Sequence, residues 1–141
     1  MRPLCGASVM KPEEVVTAFV ARINAHDPIA LSDLMTDDHL FIDALDNRLS
    51  GRTAMLAAWR QYFAMVPDYW IRIDALFSSH QSVAAFGRAG GTYAPKAPVD
   101  PSHRWEVPAA WRAEVQGDRV TLWQVYADNL PIRRLMGVDK A

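Results

Sequence analysis

A chain of 141 residues, half of them hydrophobic and 22% charged, suffices for one domain with one sizeable core. A net charge of −1 gives no electrostatic footprint for nucleic acid or an anionic membrane, and no apolar run approaches the ~20 residues of a transmembrane helix. One cysteine, Cys5, makes neither a disulfide framework nor a zinc quartet, which suits a reducing cytoplasm, the expected location.

Residues 1–10, MRPLCGASVM, lack the apolar stretch of a secretory signal and are expected to form a loosely ordered extension, with Met10 a candidate start. Residues 11–141 show no repeat or linker and are expected to form a single domain. Pro12, Glu13 and Glu14 predict a helix start, because proline suits the first turn and acids favour the positive end of the helix dipole. Val15, Phe19 and Ile23 recur at helical spacing, with Val16 and Val20 beside them, to about Ala25. Asp27 as N-cap and Pro28 at the first helical position restart a helix that buries Leu31, Leu34 and Met35. Thr36-Asp37-Asp38 reads as a turn, and a strand is predicted over 40–45. Asp46-Asn47 signals another turn, with a short return strand near Arg48-Leu49. Ser50-Gly51 opens a third helix carrying Met55, Trp59 and Phe63, flanked by Leu56, Tyr62 and Val66. Pro67-Asp68 ends it.

From residue 69 the apolar period changes to two, predicting strands over 69–78, 82–93, 103–116 and 119–128. In the third of these, Trp105, Val107, Trp111 and Val115 share one face, while Arg104, Glu106, Arg112 and Glu114 share the other. Gln116-Gly117-Asp118 is a tight turn. Asp128-Asn129-Leu130-Pro131 caps a last helical turn through Met136, and Gly137 ends it. Three helices followed by a long antiparallel meander predict an α+β fold, with the helices on one face of a curved sheet.

Three stretches carry a family resemblance: VVTAFVARINAHDPIALSDLMTDDHLFIDAL (15–45), SGRTAMLAAW (50–59) and GDRVTLWQVYADNLPIRRLMG (117–137). Their succession resembles the NTF2-like superfamily, particularly its SnoaL-like and ketosteroid-isomerase-like branches, over about residues 12–137. The resemblance implies an NTF2-like (cystatin-like) cone, with three N-terminal helices packed on a curved antiparallel sheet around a deep, largely apolar pocket. It also implies pairing of two copies through the uncovered sheet face. This fold hosts isomerases, dehydratases, cyclases, epoxide hydrolases and non-catalytic modules, so it leaves the reaction open.

Asp43 stands inside the apolar stretch HLFIDALD, where an ionised carboxylate is disfavoured unless compensated. It also falls where ketosteroid isomerases carry their general base. Two other positions depart from that pattern: Phe19 replaces the oxyanion-donating tyrosine of the first helix, and Ala109 stands near the strand aspartic acid. Against the limonene epoxide hydrolases, Arg88 matches the arginine, while Gly90 and Val125 stand where carboxylates would be.

The candidate catalytic residues are therefore Asp43, Arg88 and His103, the last because its strand is expected to enter the pocket. Asp43 is expected to point inward with Phe41, toward Phe19 and Trp59. Candidate ligand-binding residues are Phe19, Trp59, Tyr62 and Phe86, with Trp105, Trp111, Trp123 and Val125 on the later strands. His26 and His39 read as turn residues and His80 as a hairpin tip; the histidine spacing matches no metal pattern. Gly87, Gly90 and Gly91 suggest a bulge or a close backbone approach and form no phosphate loop. The proline-bearing segment Tyr93–Ser102 is expected to edge the pocket mouth.

Together these features predict a cofactor-independent enzyme, of isomerase, dehydratase or cyclase type, acting on a small, mostly apolar molecule with Asp43 as base. The alternative is a non-catalytic ligand-binding or interaction module of the same fold. A homodimer is expected, without nucleic-acid or membrane partners.

Overall fold

The computed structural model describes residues 10–137. The expected extension, Cys5 included, lies outside the described residues except for Met10, which packs half-buried against the core. Helix α1, Pro12–Asn24, starts where Glu14 accepts the Lys11 amide at 2.8 Å, and its buried face is Val15, Val16, Phe19, Val20 and Ile23. Asn24 accepts from the Ile71 amide at 2.8 Å and donates to the Ile71 carbonyl at 2.9 Å, pinning the helix end to the strand that starts at Trp70. Helix α2, Pro28–Ser32, is capped by Asp27, which accepts the Ala30 amide at 3.0 Å.

Strand β1 spans Met35–Ile42, β2 Arg48–Ser50 and helix α3 Arg52–Met65. The meander follows as β3 (Trp70–Ser79), β4 (Ser82–Thr92), β5 (Arg104–Gln116) and β6 (Arg119–Ala127), with a 3-10 turn at Pro101–His103 before β5. Helix α4, Leu130–Met136, ends on Gly137 at φ 74°, the left-handed conformation that favours glycine. The six strands are ordered β2-β1-β6-β5-β4-β3, antiparallel except for the parallel pair β1–β6. Among the described residues, four α-helices and one six-stranded sheet make an α+β fold. None of the described helices is long and apolar enough to cross a membrane.

Strand β1 corrects the sequence reading in two places. It begins five residues earlier than expected, so Thr36-Asp37-Asp38 lies within it, and it ends at Ile42, so Asp43 follows the strand. The cause is a register shift against β6: Met35 pairs with Val120, but the next partners are Leu40 and Leu122. Inside that irregularity His39 is fully buried on the strand, where a turn residue was expected. Its Nδ1–H donates to the Val120 carbonyl at 2.7 Å, satisfying a backbone acceptor beside the interrupted ladder.

The His39 Nε2 is sealed from water without a partner, beside Phe19 at a ring separation of 6.0 Å. Burial lowers the imidazole from its ordinary value of 6.5, against smaller raising effects of the Val120 carbonyl and Asp38. The folded state therefore binds this proton less readily than the unfolded chain. Its effect on stability is absent above pH 6.5, and stability is lost as pH falls below that value toward the folded value. Urea unfolding followed across this window is expected to show a shallower acid decline in His39→Gln than in the wild type; equal slopes would remove His39 from the acid response.

Gly87 sits opposite the β3 bulge between Ile73 and Ala75. A Cβ there would lie 1.8 Å from the Arg72 carbonyl oxygen, so only glycine admits this backbone approach.

Candidate functional site

Helix α3 and one face of β4, β5 and β6 line a cavity of about 450 Å³. The helix contributes Met55, Ala58, Trp59, Tyr62 and Met65, a stripe at helical spacing. The sheet contributes Ala89, Trp105, Val107, Ala109 and Trp111, with Trp123, Val125 and Ala127 from β6. These alternate along their strands, as the period-two pattern requires. Phe41, Asp43, Ala44 and Leu45 come from the end of β1 and the turn beyond it. Asn129, Ile132, Arg133 and Met136 come from the C-terminal segment and α4.

Asp43 reaches the cavity wall, but as the organiser of a turn. Its Oδ1 accepts the amides of Leu45 and Asn47, both at 2.9 Å, and its Oδ2 accepts the Asn47 side-chain amide at 3.1 Å. It does not sit against Phe19, which is fully buried elsewhere, 4.9 Å from the Trp123 ring. A carboxylate has about four lone-pair sites, so these three bonds leave one on Oδ2 for a ligand or water.

The structure separates the other two catalytic candidates from this wall. Arg88 pairs across β4 and β5 with Pro108, on the face opposite Ala89 and Val107, and its guanidinium is bonded to Glu106. Phe86, on the same outer face, is 47% exposed and packs on Phe77 at 6.1 Å. His103 sits in the 3-10 turn with its Nε2 3.4 Å from the Asp100 carboxylate. The segment from Tyr93 to Ser102 contributes nothing to the described cavity lining, whereas α4 contributes Ile132, Arg133 and Met136.

Of the expected ligand-binding residues, Trp59, Tyr62, Trp105, Trp111, Trp123 and Val125 stand on the wall, and Phe19 and Phe86 do not. Tyr69 lines it too, and the sequence reading missed it. Its signal was available: it is the first residue after the Pro67-Asp68 break, in phase with the inward Ile71 of β3. The indole nitrogens of Trp59, Trp105 and Trp111 are buried without a hydrogen-bond partner. Among the described residues no cluster of three or more His, Cys, Asp or Glu is placed to hold a metal.

The family model of the SnoaL-like domain matches residues 16–123. The chain belongs to the SnoaL-like family. This SnoaL-like chain matches no curated protein. Solved structures share its fold. A protein from Catenulispora acidiphila with a ketosteroid isomerase-like fold, solved with trimethylamine, is 22% identical at a TM-score of 0.75, covering 89% of this chain and 94% of its own. A protein from Shewanella denitrificans assigned as a SnoaL-like polyketide cyclase is 14% identical at a TM-score of 0.76, covering 98% and 100%. An epoxide hydrolase from M. tuberculosis, similar to the limonene enzymes, is 19% identical at 0.73, covering 90% and 91%.

Proposed function

We propose that this SnoaL-like chain binds a small, largely apolar, ring-bearing molecule in the cavity and acts on it by proton transfer at Asp43 without a cofactor. One observation carries the reading: among the described residues lining the cavity, Asp43 is the one carboxylate in an otherwise mostly apolar wall. Among the described residues no further hydrogen bond is made to Asp43 Oδ2, which supports its remaining lone-pair site as the one that takes a ligand proton. An isomerase, a dehydratase and a cyclase of this kind share a first step, removal of a proton from carbon beside a carbonyl. The cyclase and hydrolase assignments among structures of the same fold support chemistry on small molecules at this place. The test follows that step directly: cyclic and aryl ketones are incubated with the protein in heavy water, and exchange of the proton beside the carbonyl is followed by NMR. Exchange above the buffer rate supports the reading; a panel of bound ketones with no accelerated exchange would reject it.

The three hydrogen bonds on Asp43 favour a second reading, a binding module in which this residue only builds the turn at the cavity rim. The same experiment separates the two, since a binding module takes up the ketone without exchanging its proton.

The outer face of the sheet supports a homodimer. Phe86, Ala110 and Tyr126 form a row across β4, β5 and β6, with Phe77 beside Phe86, and Phe77, Phe86 and Tyr126 are 62%, 47% and 52% exposed. The pairs Arg88–Glu106 and Arg112–Glu114 interrupt it with balanced charge, which suits a self-complementary contact. Sedimentation is expected to show a dimer at micromolar concentration and a folded monomer for Phe86→Glu. Monomer alone in the wild type would sink this assignment.

A further inference from the structure

Tyr62, on α3, and Tyr69, in the turn before β3, meet edge to face with ring centroids 5.0 Å apart and planes at 90°. Both line the cavity. Neither hydroxyl has a hydrogen-bond partner among the described residues, and neither is among the polar atoms sealed from water without one. Since both rings are largely buried, these hydroxyls open on the cavity. The Tyr69 backbone holds its ring in place from two sides: the amide donates to the Val66 carbonyl at 3.1 Å, and the carbonyl accepts from His26 Nε2 at 2.6 Å. Burial pushes both phenols up, Tyr69 further through the neighbouring Tyr62, so both remain O–H donors at physiological pH.

We propose that the Tyr62 and Tyr69 hydroxyls form a donor pair that selects ring-bearing ligands carrying a carbonyl or phenolic oxygen. The hydrogen-bonding surplus of the wall has the right sign. The Tyr62 and Tyr69 hydroxyls are donors without protein acceptors among the described residues, whereas the indole N–H groups of Trp59, Trp105 and Trp111 are sealed away from the cavity space and take no part. On the other side, three of the lone-pair sites of Asp43 are already taken. A ligand that offers acceptors therefore fits this wall better than one that offers donors. A methylated ammonium fits less well, because it offers no acceptor and would leave both hydroxyls of the Trp59–Tyr62–Tyr69–Trp105 series unpaired. The inference rests on the small-molecule reading of the cavity and deepens it. If Asp43 removes a proton beside the carbonyl, the electron pair moves onto the carbonyl oxygen. The two O–H groups then strengthen their bonds to the developing enolate.

The test uses methyl naphthyl ketone and isopropenylnaphthalene, in which a methylene replaces the oxygen, each titrated by quenching of tryptophan fluorescence. In the double variant Tyr62→Phe/Tyr69→Phe the ketone is expected to lose about tenfold in affinity, the equivalent of two modest hydrogen bonds, and the hydrocarbon less than about twofold. Equal changes for the two probes would overturn the donor pair and leave the rings as packing. In the wild type, binding of the hydrocarbon but not the ketone would reject the donor pair and leave the cavity reading standing; binding of neither would reject both. Tetramethylammonium bound more tightly than the ketone would also overturn it. Should circular dichroism show the double variant unfolded, each single Tyr→Phe variant carries the test, with an expected threefold selective loss for the ketone.

Discussion

Asp43→Asn is expected to lower ketone proton exchange by about 10²- to 10⁴-fold, the usual loss on removing a general base, while ligand affinity stays within a few-fold of wild type. The asparagine keeps the turn, because its Oδ1 can still accept the Leu45 and Asn47 amides that Asp43 Oδ1 accepts at 2.9 Å. It loses the contact at 3.1 Å between Oδ2 and the Asn47 side chain, an exposed hydrogen bond whose net contribution is about 1 kcal/mol or less. The variant thus removes the lone pair that takes the proton and little else. Asp43→Ala removes the turn acceptors as well, so it should lose stability in addition to activity. Urea unfolding beside the exchange assay distinguishes the two substitutions. A variant Asp43→Asn that exchanges protons as fast as wild type would assign Asp43 to the turn alone.

Trp123→Ala is expected to cost about 3–5 kcal/mol of folding stability, a large share of the ~5–15 kcal/mol typical of a domain this size. Trp123 is 1% exposed and ties three parts of the molecule together. Its ring lies 4.9 Å from Phe19 of α1 and 6.2 Å from Trp111 of β5, and its other side lines the cavity. Deleting it loses buried apolar area and enlarges an existing space that the surrounding sheet cannot collapse to fill. Trp123→Phe retains part of the contact with Phe19 and should cost less. A urea midpoint for Trp123→Ala within error of wild type would show that the wall is not a stability element.

Much of the fold is legible in the sequence because it is written locally. The four long strands follow from period-two apolar spacing, and Gly117 and Gly137 mark ends where the backbone turns left-handed, at φ 63° and 74°. The inward face of β5 is equally plain, because Trp105, Val107 and Trp111 alternate with charged or small residues. Most of the aromatic cavity wall follows from that alternation alone. In β4 the same rule fails: Val83, Ala85 and Ala89 on one face and Ala84 and Phe86 on the other are all apolar. Only pairing with β5 shows that Phe86 and Arg88 face outward.

What the tertiary structure alone decided are the contacts between residues far apart in the chain. The parallel pairing of β1 with β6 brings residues some eighty positions apart together, and its register shift turns a sequence that reads as a turn into strand. His39 is buried there because the Val120 carbonyl needs a donor, a demand invisible in the local sequence. Asp43 looks like a charge misplaced in a strand; it lies one residue past the strand end, where the Leu45 and Asn47 amides compensate it. Tyr62 and Tyr69 are separated by the end of α3 and the Pro67-Asp68 turn, and neither shows on its own that their rings meet at 90°. Composition and periodicity determined which side chains are apolar and how they alternate, because those depend on neighbours a few residues away. Where the hydroxyls and the carboxylate stand around one cavity was decided by sheet register and by the packing of α3 and α4, which couple residues that no local pattern connects.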